Sequence, residues 1–407
     1  MLSIPKWVLV TSLLTGSLLA TELTAPDGQT SDRFGESLSV SGNTLAITGA
    51  YESGYPGGRT VWVFQETNSW DHPVLVAELT ASNGDRLQGV AVSGNTIVAG
   101  APAATINGVV DQGCAYVFVA GANGWQNSNE TAQLTSSDGY FNNGFGVSVA
   151  IDKNTIVVGA PGAGKFQQGE AYVFTKPATG WVSATETAKL LASDGQTYDG
   201  FGGGDGVSVN GVVAAVGAGG AGHGYGAVYV FQETRGGWQN MTETAELTEG
   251  QPFTEEELGS SVVIEGSTVV AGAPTGLNGS VLSGRVMVYL EPVSGWQSTS
   301  TPNAILTSTE KHPRGFGASV AINPNLIIVG DPYGSAKYKR FSGAAFIFKK
   351  PPSGWVNATQ SAKLVANGLS VGTSVGASLN KTAFMGAPYT TVGKNQNQGA
   401  VFVQQLK

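Results

Sequence analysis

One phrase recurs through this 407-residue chain, and its spacing constrains the fold more than any other property. Gly-Ala, mostly followed by proline, stands at Gly49-Ala50, Gly100-Ala101, Gly159-Ala160, Gly217-Ala218, Gly272-Ala273 and Gly386-Ala387, and Gly330-Asp331 fills the remaining interval. Upstream of most copies lies a hydrophobic-Gly pair: Phe34-Gly35, Phe145-Gly146, Phe201-Gly202, Leu258-Gly259, Phe316-Gly317 and Val375-Gly376, with the second copy degraded to LQGVAV at 87–92. Downstream comes a run such as AYVF at 115–118 or VYVF at 228–231, and then a tryptophan: Trp70, Trp125, Trp181, Trp238, Trp296 or Trp355. A fixed internal period of this length marks a repeat architecture and outranks any domain count taken from chain length.

Each copy divides into four short segments, which in the third are GVSVAI (146–151), TIVVGAP (155–161), EAYVF (170–174) and TAKLLAS (187–193). The first alternates Val or Ile with Ser or Ala, the period of a strand with two different faces. Pairs such as Gly42-Asn43 and Lys153-Asn154 provide tight turns into the second segment. No stretch sustains a helical period. Four such strands form one antiparallel sheet, which has two apolar faces to cover, so the copies must stack on one another. Radially arranged four-stranded units are propeller blades. The predicted fold is an all-β, seven-bladed β-propeller over 21–407, with repeats at about 21–76, 77–131, 132–187, 188–244, 245–302, 303–361 and 362–407. The last copy ends before a fourth strand, whereas TELTA at 21–25 is a fourth strand with no copy in front of it. Pairing the two would complete the seventh blade and cover a sheet edge.

The FG…GAP phrase followed by a G-A-Y-V-F strand resembles the FG-GAP repeat of integrin α-subunit head domains and many secreted proteins. The resemblance covers 21–407 and implies a seven-bladed ring whose varied loops carry ligand and partner contacts. Several integrin blades also hold calcium in a DxDxDG-type loop between the first two strands. Here that loop reads SGN (41–43), DKN (152–154), EGS (265–267) or NPN (323–325), each with at most one carboxylate. Calcium needs six to eight oxygens, so this loop does not supply its site. Asp27 with Asp32 and Asp194 with Asp199 are the remaining candidates for a weakly held ion, or else turn-forming aspartates. No other cofactor is expected.

Residues 1–20 have one lysine, Lys6, and an apolar run ending in small residues, the layout of a secretory signal peptide. No later run reaches the about 18 apolar residues of a spanning helix, so no stable membrane insertion is expected after cleavage. Loss of Lys6 leaves 20 basic against 29 acidic residues, a net of −9. That argues against nucleic acid as a partner, since it requires a basic stripe. The single cysteine, Cys114, lies in an apolar strand-like run and is expected to be a buried, inert thiol. Five N-x-S/T sequons at Asn129, Asn240, Asn278, Asn357 and Asn380 are candidate glycosylation sites in an exported chain.

Catalysis finds little support. His72, His223 and His312 fall in unrelated copies, and GAGKFQQG at 162–169 lacks the GK[ST] of a phosphate loop. The expected role is non-catalytic binding or adhesion, with an extracellular protein or glycan as partner, through the face that carries the loops after Gly-Ala-Pro and the loops between blades. Its candidate contacts are Tyr51, Tyr55, Tyr333, Lys337, Tyr338, Lys339, Arg340 and Tyr389, with further loop aromatics at Tyr140, Phe141, Tyr198 and Tyr225. The alternatives are a carbohydrate- or lipid-active enzyme that uses the central funnel, and a lectin with sites at the blade interfaces. Gly35, Gly146 and Gly317 are expected to relieve crowding at the propeller axis, and the six tryptophans to pack between outer strands.

Overall fold

The computed structural model describes residues 20–406 except 50–57, 251–255, 279–280, 283, 311–314, 335–341, 366–370, 372 and 378–381. Seven sheets of four or five strands form the blades. Blade 3 is typical: Ser148–Asp152 pairs with Thr155–Ala160, that with Glu170–Thr175, and that with Ala188–Leu191, all antiparallel. Two-residue turns join first to second strands, as Ser41↔Thr44, Ser93↔Thr96 and Asp152↔Thr155 show. The inner strands follow one another around the axis, and that of blade 7 meets that of blade 1.

The ring closes through the N-terminal segment. Thr21–Leu23 pairs antiparallel with the last strand, Ala400–Gln405, in the register Thr21↔Val403 to Leu23↔Val401. Leu23 is buried with Phe384, Val401 and Val403 in a cluster that also holds Leu45, Trp62 and Trp70 of blade 1. The first strand of the described residues is therefore the outer strand of the last blade.

The core is a set of blade interfaces. Seven buried clusters, among the described residues, each join two consecutive blades, so hydrophobic contact runs unbroken around the ring. All six recurring tryptophans are buried and lie in these interfaces, Trp125 against blade 1 and Trp238 against blade 3. Cys114 is buried too, and burial pushes its thiol up to about 12.

The repeated glycines serve the same interfaces. Gly35 (φ +93°), Gly146 (φ +95°) and Gly317 (φ +97°) have left-handed backbones that disfavour a side chain. A Cβ on Gly35 would also lie 2.7 Å from the Ala400 carbonyl oxygen, and one on Gly317 would lie 2.8 Å from that of Arg285. Both carbonyls belong to the preceding blade, so the crowding is between blades and not at the axis, contrary to expectation. The partner glycine of Gly-Ala-Pro completes the contact: a Cβ on Gly100, Gly159, Gly217, Gly272 or Gly386 would fall on the carbonyl oxygen of the glycine in the next blade's hydrophobic-Gly pair. The two halves of the repeat thus face each other across each interface. In the seventh copy the hydrophobic position belongs to Val371, buried and bridged to Gly343 as Phe145 is to Gly113. Val375 and Gly376, assigned to that role from the sequence, lie instead in the inner strand Val375–Ala377.

Serines on the inner strands satisfy the sheet edges exposed at the axis. Ser37 and Ser39 accept from the backbone N–H groups of Val90 and Val92 at 3.2 and 3.1 Å, and Ser148 accepts from Val207 at 3.1 Å. The Ser/Val alternation of the first segment therefore provides side-chain acceptors to the neighbouring blade.

At the rim, an unexpected fifth strand joins blades. Ser128–Asn129, Ala184–Thr185, Met241–Thr242 and Ala358–Thr359 follow the tryptophans and pair parallel with the outer strand of the preceding blade. An adjoining carboxylate completes each of the first three straps: Glu130, Glu186 and Glu243 accept from the backbone and hydroxyl of Ser82, Ser137 and Ser193 at 2.6 to 2.9 Å. Gln360 takes this place beside Thr309.

Candidate binding face and central channel

The loops after Gly-Ala-Pro and the loops between blades emerge together at the end of the ring where the inner strands begin. Over blades 2 to 4 this face presents five exposed rings: Tyr140, Phe141, Phe166, Tyr198 and Tyr225. Tyr198 (76% exposed), Phe141 (64%) and Phe166 (61%) stand furthest out. Hydrogen bonds tie the loops that carry them into one arch. The Tyr140 hydroxyl reaches the Gly162 and Gly164 carbonyls at 2.7 Å, Tyr198 N–H donates to the Gln167 carbonyl at 3.1 Å, and Gly220 N–H, in the loop of Tyr225, donates to the Asp199 carbonyl at 2.9 Å. The loops share a backbone plan, because the third residue before the hydrophobic-Gly pair has positive φ at Ser31, Asn142 and Tyr198. Asparagine tolerates that conformation, whereas a tyrosine there is strained.

Phe166 was missed from the sequence because it lies in GAGKFQQG, a run weighed only as a phosphate loop. That run is a turn closed by Gly169 N–H on the Ala163 carbonyl at 3.0 Å, leading into the strand Glu170–Thr175.

Of the eight contact residues expected from the sequence, Tyr51, Tyr55, Lys337, Tyr338, Lys339 and Arg340 lie outside the described residues. Tyr333 is exposed. Tyr389 is half-buried, with the Arg33 guanidinium 4.8 Å above its ring, and so bridges blades 7 and 1. Glu256 is fully buried and clamped to Arg285 at 2.7 Å, with Glu249 on the same guanidinium at 2.6 Å.

Three of the four candidate metal carboxylates are engaged by the chain itself. Asp194 accepts from the buried Tyr229 hydroxyl at 2.9 Å, and Asp199 from Gln196 N–H at 2.6 Å. Asp32 accepts from Gln29 N–H, and burial raises its pKa. Asp27 lies in the equivalent turn, where Gln29 Nε2 donates to its carbonyl at 2.8 Å. Tyr116 and Tyr172 repeat the tyrosine contact with Asp85 and Asp138 at 2.7 and 3.1 Å, which gives the recurring Tyr of the third strand a tie to the loop above it. Among the described residues, no three His, Cys, Asp or Glu side chains converge where an ion could sit.

The sequons fall into different settings. Asn240 and Asn357 each accept, through Oδ1, the backbone N–H of the preceding blade's outer strand, from Lys189 at 2.9 Å and Ile305 at 2.8 Å. Asn127, Ser183 and Ser298 do the same in other copies, so this Asn or Ser belongs to the strap. Asn129 is exposed in the short parallel strand, Asn278 lies in a two-residue strand after the Gly-Ala-Pro of blade 5, and Asn380 is outside the described residues.

Along the axis the inner strands line a cavity of about 230 Å³, with Val, Ser and Ala in most positions and Asp205 among them. A second cavity of about 220 Å³ lies at the binding-face end, lined by Glu36, Gln88, Asp205, Ser260 and Thr373 among others. Burial pushes Glu36 up to about 7, with Arg33 pulling down and Asp205 pushing up further. Asp205 is exposed and lines both cavities, and desolvation raises it to about 6.

These features define a seven-bladed β-propeller with a loop-built face at one end of the ring. An FG-GAP repeat family model matches residues 19–64, 128–174 and 184–231. These three stretches are FG-GAP repeats. No curated protein sequence matches it. Among solved structures it is similar to the computationally designed Ika8 protein, with a TM-score of 0.51 at 15% identity over 95% of this chain and 100% of that one, a likeness of fold alone. No helix of the described residues is long and apolar enough to cross a membrane.

Proposed function

We propose that this chain is an exported, non-catalytic binding module that recognises an extracellular protein or glycan through its varied-loop face. The observation that carries this reading is the arch of five exposed rings over blades 2 to 4, in loops that hydrogen bonds hold in place. Exposed aromatics on a rigid scaffold are costly to keep in water and are common anchors of recognition. The signal-peptide layout of residues 1–20 supports export. The test is a glycan array and a cell-surface pull-down with the wild-type protein and a Phe141→Ala/Tyr198→Ala variant. The reading expects binding that the variant loses; equal binding by both proteins would contradict it.

One observation favours a second reading. Glu36 and Asp205 at the channel mouth are a carboxylate pair with raised pKa, as an acid–base enzyme using the funnel would need. Turnover of a glycoside or ester panel, abolished by Glu36→Gln and by Asp205→Asn, would establish that reading in place of the first.

A further inference from the structure

We infer that the ligand of the arch is a neutral oligosaccharide, whose sugar rings stack on Phe141, Phe166 and Tyr198. This rests on the reading of the varied-loop face as a binding surface, and it adds the chemistry of what binds. Each of these three most exposed rings has an exposed carboxamide beside it in sequence: Asn142 follows Phe141, Gln167 follows Phe166, and Gln196 lies two residues before Tyr198. A carboxamide offers donors and an acceptor without charge, and so suits vicinal hydroxyls. An aromatic face, negative at its centre, attracts the C–H groups that line one side of a pyranose. Ring plus carboxamide, repeated along an arch, therefore matches a chain of sugars more closely than any other common polymer.

The charge pattern agrees. Of the charged groups near these rings, Asp138 is held by Lys189 and Tyr172, and Asp199 is buried in its turn. The Lys165 ammonium lies 5.3 Å from the centre of the Phe166 ring. Apart from the exposed Lys165, little free charge of either sign remains to select an ionic partner, whereas protein interfaces favour arginine anchors. Tyr198 supplies an independent argument. Its φ of +68° is strained for a tyrosine, and its exposed ring recovers little of that cost by packing. The Gln167 carbonyl that accepts the Tyr198 N–H holds two of the ring–carboxamide pairs in fixed relation, so little ordering remains when a ligand binds.

The experiment titrates the full-length mature protein with hexasaccharides of glucose, mannose, galactose and N-acetylglucosamine, and with uronic-acid and sulfated hexasaccharides, by calorimetry. At least one neutral hexasaccharide is expected to bind. Phe141→Ala, Phe166→Ala and Tyr198→Ala should each weaken it about tenfold, a loss of the size expected for one stacked ring. Gln167→Ala should weaken it by less, and Val293→Ser, at a solvent-exposed valine in a loop of the opposite face, should leave it unchanged. All these side chains are exposed, so unaltered melting temperatures separate lost binding from lost fold. Binding of only acidic sugars, or of a protein partner through the same rings, would overturn the sugar inference and leave the binding face standing. Neutral binding that survives removal of all three rings would overturn the placement. No binding of any sugar, together with no surface partner sensitive to the triple variant, would overturn both readings.

Discussion

At the residue scale, glycine does two separable jobs here. Gly146 has φ +95° and packs against the preceding blade's Cys114 carbonyl, whereas Gly180 has φ +101° with open space around it. Gly180→Ala should therefore cost only the backbone term, about 1–2 kcal/mol. Gly146→Ala adds a collision with backbone and should cost roughly 3 kcal/mol or more. Urea unfolding of the two variants checks the difference, and equal losses would mean that blades tolerate being pushed apart. A second expectation concerns pH. Glu36 and Glu249 are pushed up to about 7, and Asp331 to about 6, each chiefly by burial. Between their ordinary carboxylate range and these values the folded protein binds more protons than the unfolded chain. Stability should therefore increase as pH falls from about 8 towards 5, and decline as pH rises through 7. Glu36→Gln should stabilise at pH 8 and change little at pH 5, measured by urea midpoints; a midpoint higher at pH 8 than at pH 5.5 in the wild type would contradict this.

At the scale of the element, two strands carry more than their length suggests. Thr21–Leu23 is three residues long, yet it supplies the outer edge of blade 7 and inserts Leu23 beside Trp70 and Phe384. Leu23→Ala should cost about 2–5 kcal/mol, the usual range for a buried leucine. Deleting residues 21–23 should lower the melting temperature further and promote aggregation through the bared edge of Ala400–Gln405. Unchanged melting and light scattering would show that the strand is dispensable. The parallel straps behind the tryptophans give a similar expectation. In protein made without glycosylation, Asn240→Ala should lose about 1 kcal/mol, because Lys189 N–H loses its acceptor. Thr242→Ala removes the same sequon and keeps that acceptor, so it should lose less. This pair of variants separates the strap from any attached sugar.

At the scale of the whole molecule, the seven clusters form a cycle, each sharing a blade with the next. An open row of repeats would leave two end blades with a bare face and could unfold in parts. A closed ring has no end blade, so calorimetry should show one transition whose van't Hoff and calorimetric enthalpies agree. Two resolved transitions would mean that part of the ring opens on its own.

The number of blades, their strand order, the offset closure and the burial of the tryptophans were legible in the sequence, because each follows from period, alternation and count. A two-residue side-chain period assigns a face, and a missing fourth strand at one terminus matches a spare one at the other. What the glycines contact was not legible: the partners of Gly35 and Gly100 lie across a blade interface, and a repeat cannot say which of its own parts meet in space. The same limit hid the strap role of Asn240, the burial of Glu256, the exposure of Phe166 and the meeting of Glu36 with Asp205 at one cavity. Hydrophobic patterning is local along the chain and so determined the architecture. The contacts that make a site join residues from different blades, and only the closed ring decided which side chains those would be.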